Sequence, residues 1–418
     1  MPLVPKKIFY GLIGFFFLLL LSILLEIGDI FGYASILIGS IFVFIWFFKK
    51  SLSGDVLAFI LFASGVVLYF IPTLGFIIRS EDFQIVFLPL FLGLAFLIYF
   101  IVRDKKAQEE PVPTKKSLLL FVLFLVLSLL GSFYWFPIRN GFLGISLLFY
   151  ARLCSGFENR TKAFFGLTLY FLVVGFFYRN GIGFGRLPAA TLFALPLYIL
   201  LHYNYLTIKW WYLLISFPFL TLFANSLRSG EWAGLAALGS ESVGHHFKLM
   251  TALYRTAGMR VEDFMGYLEQ FLLFFLNWVP SDEPFDFWVS KPVGLSETLV
   301  DNFIGRSGYS DNFNVSVGVW GESLYYTPSI WFFSGIFSVV AVAYFLKLLN
   351  RFHGRNSAIP IVAQAYLIIW FWGGFGSYGA NAWWLLIPMI GYVFLENILG
   401  FLFVKKVFLP QPYVSRIH

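Results

Sequence analysis

One cysteine, Cys154, stands in 418 residues. A disulfide within the chain and a cysteine-cluster metal site are therefore excluded. Charge is scarce as well: 12% of residues are charged and 59% are hydrophobic. Such a chain has too little polar surface to cover itself in water, so lipid must be its solvent. Histidine is thin, with five in all. The only adjacent pair, His245-His246, would project about 100° apart on a helix and cannot hold one metal ion from one face. One of the two remains a candidate general base.

Abundant instead are aromatic residues, 22% of the chain with 55 Phe, and long apolar runs. A helix needs about 20 apolar residues to cross the hydrocarbon core. That length predicts twelve spans near 8–27, 31–48, 56–78, 85–102, 117–136, 140–153, 163–178, 187–204, 210–226, 328–348, 358–375 and 382–404. The chain is then an all-α polytopic bundle in three parts. Residues 1–226 carry nine spans, 227–327 form one large outer loop, and 328–418 carry three spans and a tail. Lys6-Lys7 before apolar Ile8 to Leu25 has the outline of a signal peptide without a small-residue cleavage site, and reads as a retained first helix.

The net charge of +7 does not point to nucleic acid, because the basic residues sit at span ends. With both termini inside, nineteen Lys and Arg fall on the cytoplasmic face and ten outside. A second asymmetry is more informative. Thirteen of fifteen Lys lie inside, whereas eight of the ten outer cations are Arg: Arg79, Arg139, Arg179, Arg186, Arg228, Arg255, Arg260 and Arg306. Topology bias gives no reason for that preference. A guanidinium fork that grips phosphate in bidentate fashion does. Headgroup contacts or pairing with the loop's twelve carboxylates are the plainer explanation for any one of them.

Tyr178 to Arg186 joins two spans, with three alternating glycines between Arg179 and Arg186. Successive backbone N–H groups there can form an anion nest, or the stretch is a flexible connector. In the large loop, Val243, Phe247, Met250 and Tyr254 mark a helical face over 243–256. A second helix is predicted from Val261 to Trp278, too short to span and so interfacial or re-entrant. Glu322, in Gly321-Glu322-Ser323 before a span, would have a raised pKa if buried and suits a general base or acid. A helix N-terminal carboxylate is its structural alternative.

The tract Asn312 to Tyr325, closing the large outer loop and entering a span, resembles bacterial O-antigen (Wzy-type) polymerases. Ser316, Gly321-Glu322 and Tyr325 approximate that family's Ser-rich approach and Gly-Glu-x-Tyr element, with two residues here between the Glu and the Tyr. Gly266-Tyr267 with Trp278, Pro280 and Pro284 is similar to the upstream part of the same loop, and Arg186 opening an apolar helix to an arginine of the other outer loop. Tyr326-Thr327-Pro328 stands where the family has Asn-Phe-Gly, and Glu283 where it has Lys or Arg.

The resemblance implies a GT-C-like bundle in a bacterial inner membrane. It implies glycosyl transfer between two undecaprenyl-diphosphate-linked oligosaccharides at the outer leaflet, without metal or cofactor. Arg179, Arg186, Arg255, Arg260 and Arg306 are the candidate diphosphate ligands, Glu322, His245 or His246 the acid–base group, and Tyr254, Tyr309, Trp320 and Tyr325 the sugar-stacking surface. Membrane lipid and a chain-length regulator protein are the implied partners. A metal-dependent membrane glycosyltransferase would need a carboxylate pair in a long first outer loop, and here only Glu81-Asp82, in the second outer connector, remains for that role. An O-antigen ligase and a flippase for the same lipid are the alternatives. The flippase expects charged pairs inside spans, which are nearly absent.

Overall fold

In the computed structural model, residues 6–24, 30–48, 55–79, 84–103, 117–133, 136–155, 160–179, 186–209, 211–212, 241–276, 295, 299, 317–352 and 356–407 are described. They are mostly helical, with no strand among them. Apolar sequence without polar neighbours leaves the backbone to satisfy itself, which only a helix does within one segment. The helices are α1 (Lys6–Leu24), α2 (Ile30–Phe48), α3 (Val56–Ser64), α4 (Ile71–Arg79), α5 (Phe87–Val102), α6 (Ser117–Gly131), α7 (Phe136–Cys154), α8 (Arg160–Arg179) and α9 (Arg186–His202). After a long interval come α10 (Glu241–Arg255), α11 (Phe264–Leu276), α12 (Gly318–Tyr326), α13 (Trp331–Leu349), α14 (Ala358–Ala365) and α15 (Leu367–Val407).

Among the described residues five helical stretches are long and apolar enough to cross a membrane, or six if a pair bent by 73°, Ala358–Ala365 with Leu367–Gly379, counts as one. Two expectations change here. Span 358–375 is a broken element rather than a straight crossing: the bend falls at Tyr366, between α14 and α15, and Gly374 within α15 is non-helical. The stretch expected at 140–153 is longer, a 19-residue helix from Phe136 to Cys154. The stretch 213–226 lies outside the described residues.

The innermost element is α3 to α4, joined by a π-helical turn at Gly65–Phe70 and buried over nearly its whole length. Asp55 starts it by accepting the Ala58 N–H (3.1 Å). At Gly65 the missing Cβ leaves room for the Phe44 and Phe91 rings. Phe44 packs in turn against Phe48, Phe62, Phe70 and Phe96. Without a hydrophobic drive between helices in lipid, such ring contacts and close approaches supply the association.

Polar ties mark the two ends of the bundle. At one end Tyr99 donates to Asp55 (2.9 Å), Asn350 to the Val102 carbonyl (2.9 Å), and the Tyr203 and Ser357 hydroxyls bond (2.6 Å). At the same end Arg152 grips Glu396 through both guanidinium nitrogens (3.2 and 2.6 Å) and donates to Asn356 (3.0 Å). At the other end of α5, about 24 Å away at 1.5 Å per residue, lie α10 to α12. There the Gln84 N–H reaches Thr251 (3.4 Å) and the Asp263 N–H reaches the Tyr326 carbonyl (2.7 Å). The helices expected in the polar loop thus form, with α11 beginning at Phe264 rather than Val261.

Candidate functional site

The site begins with a break in α15. Gly374 has φ 72° and ψ −162°, a region that only glycine occupies without strain. A break there deprives the next amides of their i−4 carbonyls, as at any helix start. The Phe375 N–H turns to the carboxylate of Glu322, at 3.2 and 3.3 Å from its two oxygens. A Cβ on Gly374 would lie 2.0 Å from one of those oxygens, so glycine is required there twice over. On α12, Gly318 has φ 61°, and a Cβ on it would meet the Phe371 carbonyl at 2.2 Å. The nine-residue α12, too short to span, is thereby seated against Phe371–Phe375 at both its first residue and its second turn.

Glu322 is 3% exposed. Burial pushes its carboxyl up to about 8, against the opposing pull of the Phe375 N–H. A group that titrates close to neutrality is suited to take or give a proton during a reaction.

His246, on α10, reaches the same segment. It is buried and stacks on Trp372, centroid to centroid 4.3 Å with the planes 12° apart. The broken segment is therefore held by Glu322 from α12 and by His246 from α10. Two of the three candidate acid–base residues meet there. The side chain of His245, the third, lies outside the described residues.

Arg260 follows α10 and approaches Tyr325 of α12. Its Nη2 donates to the Leu253 carbonyl, while Nε and Nη1 are buried and have no hydrogen-bond partner among the described residues. Burial lowers its pKa, and the neighbouring Tyr325 phenol opposes that. Buried donors left unmatched cost free energy and mark a place where a further acceptor belongs. Tyr325 is one turn along α12 from Glu322, so Arg260 approaches that helix one turn beyond the carboxylate. Glu262 accepts the Ser329 N–H (2.8 Å), and Asp263 caps α11 by accepting the Gly266 N–H (2.8 Å).

The other sequence candidates are distributed as follows. Arg255 is exposed at the end of α10. Tyr254 is half-buried between the rings of Phe87 (6.0 Å) and Trp331 (5.8 Å). Trp320 is 1% exposed and packs against Trp331 and Phe332, so its ring is core rather than an open stacking face. Arg179 ends α8 and Arg186 begins α9, but their side chains and residues 180–185 lie outside the described residues, as do Arg306 and Tyr309.

Sequence reasoning missed Gly374, Gly318 and Trp372. The signal was there: Gly373-Gly374-Phe375-Gly376 interrupts an apolar run, which marks a breaker. It also missed a hydroxyl cluster behind Glu322. Tyr267 donates to the Ser334 carbonyl (2.8 Å) and bonds Ser338, and the Ser323 hydroxyl lies 3.5 Å from it. No protein-family model, curated protein or solved structure matches this chain.

Proposed function

We propose that the chain is a polymerase of undecaprenyl-diphosphate-linked oligosaccharide repeat units. It would work at the outer leaflet of a bacterial inner membrane, as a twelve-span bundle with residues 227–327 outside and both termini in the cytoplasm. The observation that carries this reading is a buried carboxylate at a helix break, Glu322 on α12, with Tyr325 on the next turn beside Arg260, whose Nε and Nη1 are buried and unmatched among the described residues.

Polymerisation needs those two functions and no protein nucleophile. A hydroxyl of the incoming repeat unit attacks the anomeric carbon of the growing chain, and its proton passes to Glu322. The new C–O bond forms as the bond from that carbon to the diphosphate breaks. The departing diphosphate keeps the electron pair, and its charge is stabilised by guanidinium groups. Arg260 supplies such a group, with Arg255, Arg179, Arg186 and Arg306 as the other ligands proposed. His246 serves on the Trp372 side of the carboxylate. Tyr254, Tyr325 and Tyr309 are the sugar-stacking surface. An apolar groove of about 370 Å3 between α7 and α15, walled by Ile138, Phe142, Ile145, Trp383, Ile387 and Pro388, gives the isoprenoid chain an apolar berth.

The broken helix favours a second reading. Discontinuous helices with a buried acid also occur where transporters bind substrate, so a flippase for the same lipid is the rival from another class. An O-antigen ligase is the rival within the same chemistry. Purified protein incubated with lipid-linked repeat unit in detergent separates the three. A ladder of lengthened chains supports the polymerase. Transfer only to added core lipid makes it a ligase, and no covalent change makes it a transporter.

A further inference from the structure

A carboxylate clasp on a helix break has a property that a fixed cap lacks: its strength depends on a proton. Both oxygens of Glu322 lie on the single N–H that opens the second half of α15, at 3.2 and 3.3 Å from Phe375 N. The ionised carboxylate accepts a bond about twice as strong as a neutral carbonyl does, and it also faces the positive end of the half-helix. Gly374 supplies the joint, with a backbone conformation that is not helical and no Cβ to hinder rotation.

We propose that the Glu322–Phe375 contact is a proton-operated hinge. The ionised carboxylate pins the half-helix beginning at Phe375 to α12, and the protonated form lets it swing about Gly374 while Glu322 itself stays buried, so that only the bond to the N–H is lost.

The groups around Glu322 leave it as the element that titrates. From α11, Tyr267 approaches, and from α12 itself Tyr326 and Tyr325. Burial pushes the Tyr267 and Tyr326 phenols up, so they stay neutral. From α10, His246 stands behind Trp372, while Lys248 is exposed. α13 offers Ser334 and Ser338 on this side and has its lysine, Lys347, in its last turn. On α15 the nearest ionisable side chain past the break is Tyr378, whose hydroxyl is bonded to the Ala363 carbonyl (3.0 Å).

The hinge needs no substrate, so its test stands apart from the glycosyl-transfer reading. Hydrogen–deuterium exchange is measured over residues 371–379 of the full-length protein in detergent at pH 6 and pH 9, with rates corrected for intrinsic pH dependence. Protection should be about tenfold greater at pH 9, as the loss of one charged hydrogen bond at pH 6 implies. Glu322→Gln should show low protection at both pH values, and His246→Gln should keep the pH step. If Glu322→Gln does not purify, Glu322→Asp should retain the step with weaker protection at pH 9. Equal protection of the wild type at the two pH values, or a step that persists in Glu322→Gln, overturns the hinge.

Discussion

Replacing Glu322 by Gln separates what the carboxylate does for the reaction from what it does to the fold. Gln keeps the size and still accepts the Phe375 N–H, but it cannot take a proton. If Glu322 is the base, chain lengthening should fall about 10²- to 10⁴-fold, the usual contribution of a general base. Stability should move the other way. The folded-state pKa is raised to about 8 from an ordinary value of 4.5, so the folded protein binds the extra proton between those pH values. The wild type is then unaffected by this group below pH 4.5 and loses stability steadily as pH rises through about 8. The difference amounts to roughly 5 kcal/mol at pH 9. Gln carries no such penalty, so Glu322→Gln should melt at the wild-type temperature near pH 5 and about 5 °C higher at pH 9. The assay pairs thermal unfolding from pH 5 to 9 with polymer length on gels from cells bearing each allele. Wild-type polymer from the variant removes Glu322 from the reaction. Parallel melting curves at every pH remove the buried-acid argument.

Arg260→Ala should abolish long chains at unchanged protein abundance, and Arg260→Lys should restore them only in part, because an ammonium lacks the planar fork; immunoblots and gels read both. Arg186→Ala should likewise stop chain lengthening without loss of protein, and normal polymer would take Arg186 out of the diphosphate site. Gly374→Ala, which places a methyl 2.0 Å from a Glu322 oxygen, should cost more than about 3 kcal/mol and appear as loss of folded protein in size-exclusion profiles. Arg152→Ala breaks the bidentate grip on Glu396 at the far end of the bundle and should lower stability by about 1–3 kcal/mol while the chain-length distribution of the surviving protein stays normal.

The helices were legible because lipid leaves the backbone one way to satisfy itself. Runs such as Phe87–Val102 and Trp331–Leu349 appear in the sequence almost to the residue. The helical stripe ending at Tyr254 was also legible, as was the weight placed on Glu322. What the sequence does not display is which residues meet. The Gly373-Gly374 pair looked like ordinary small residues within a span, because hydropathy averages over a break that one backbone angle creates. Trp320 reads as a stacking platform because it is an aromatic residue of the polar loop. Its neighbours in space are Trp331 and Phe332, and it belongs to the core. His246 gave no pattern at all, since its partner Trp372 lies more than a hundred residues away.

The break and the carboxylate explain one another. A non-helical residue in an apolar bundle is tolerable only where the amide it frees finds an acceptor. A buried carboxylate is tolerable only where donors reach it. Gly374 exposes the Phe375 N–H, Glu322 accepts it, and Gly318 lets α12 come close enough for the two to meet. None of the three residues has a structural reason to be there without the others. Helices α10 to α12 are for the same reason not a detachable cap. Their last helix completes the hydrogen bonding of α15, and α10 stacks His246 on the segment just before the joint. A loop built only to cover a membrane bundle would not need to satisfy the backbone inside it. One that supplies the buried acid at the break is part of whatever chemistry occurs there, which is why variants at Gly374, Glu322 and His246 bear on function as a unit rather than one by one.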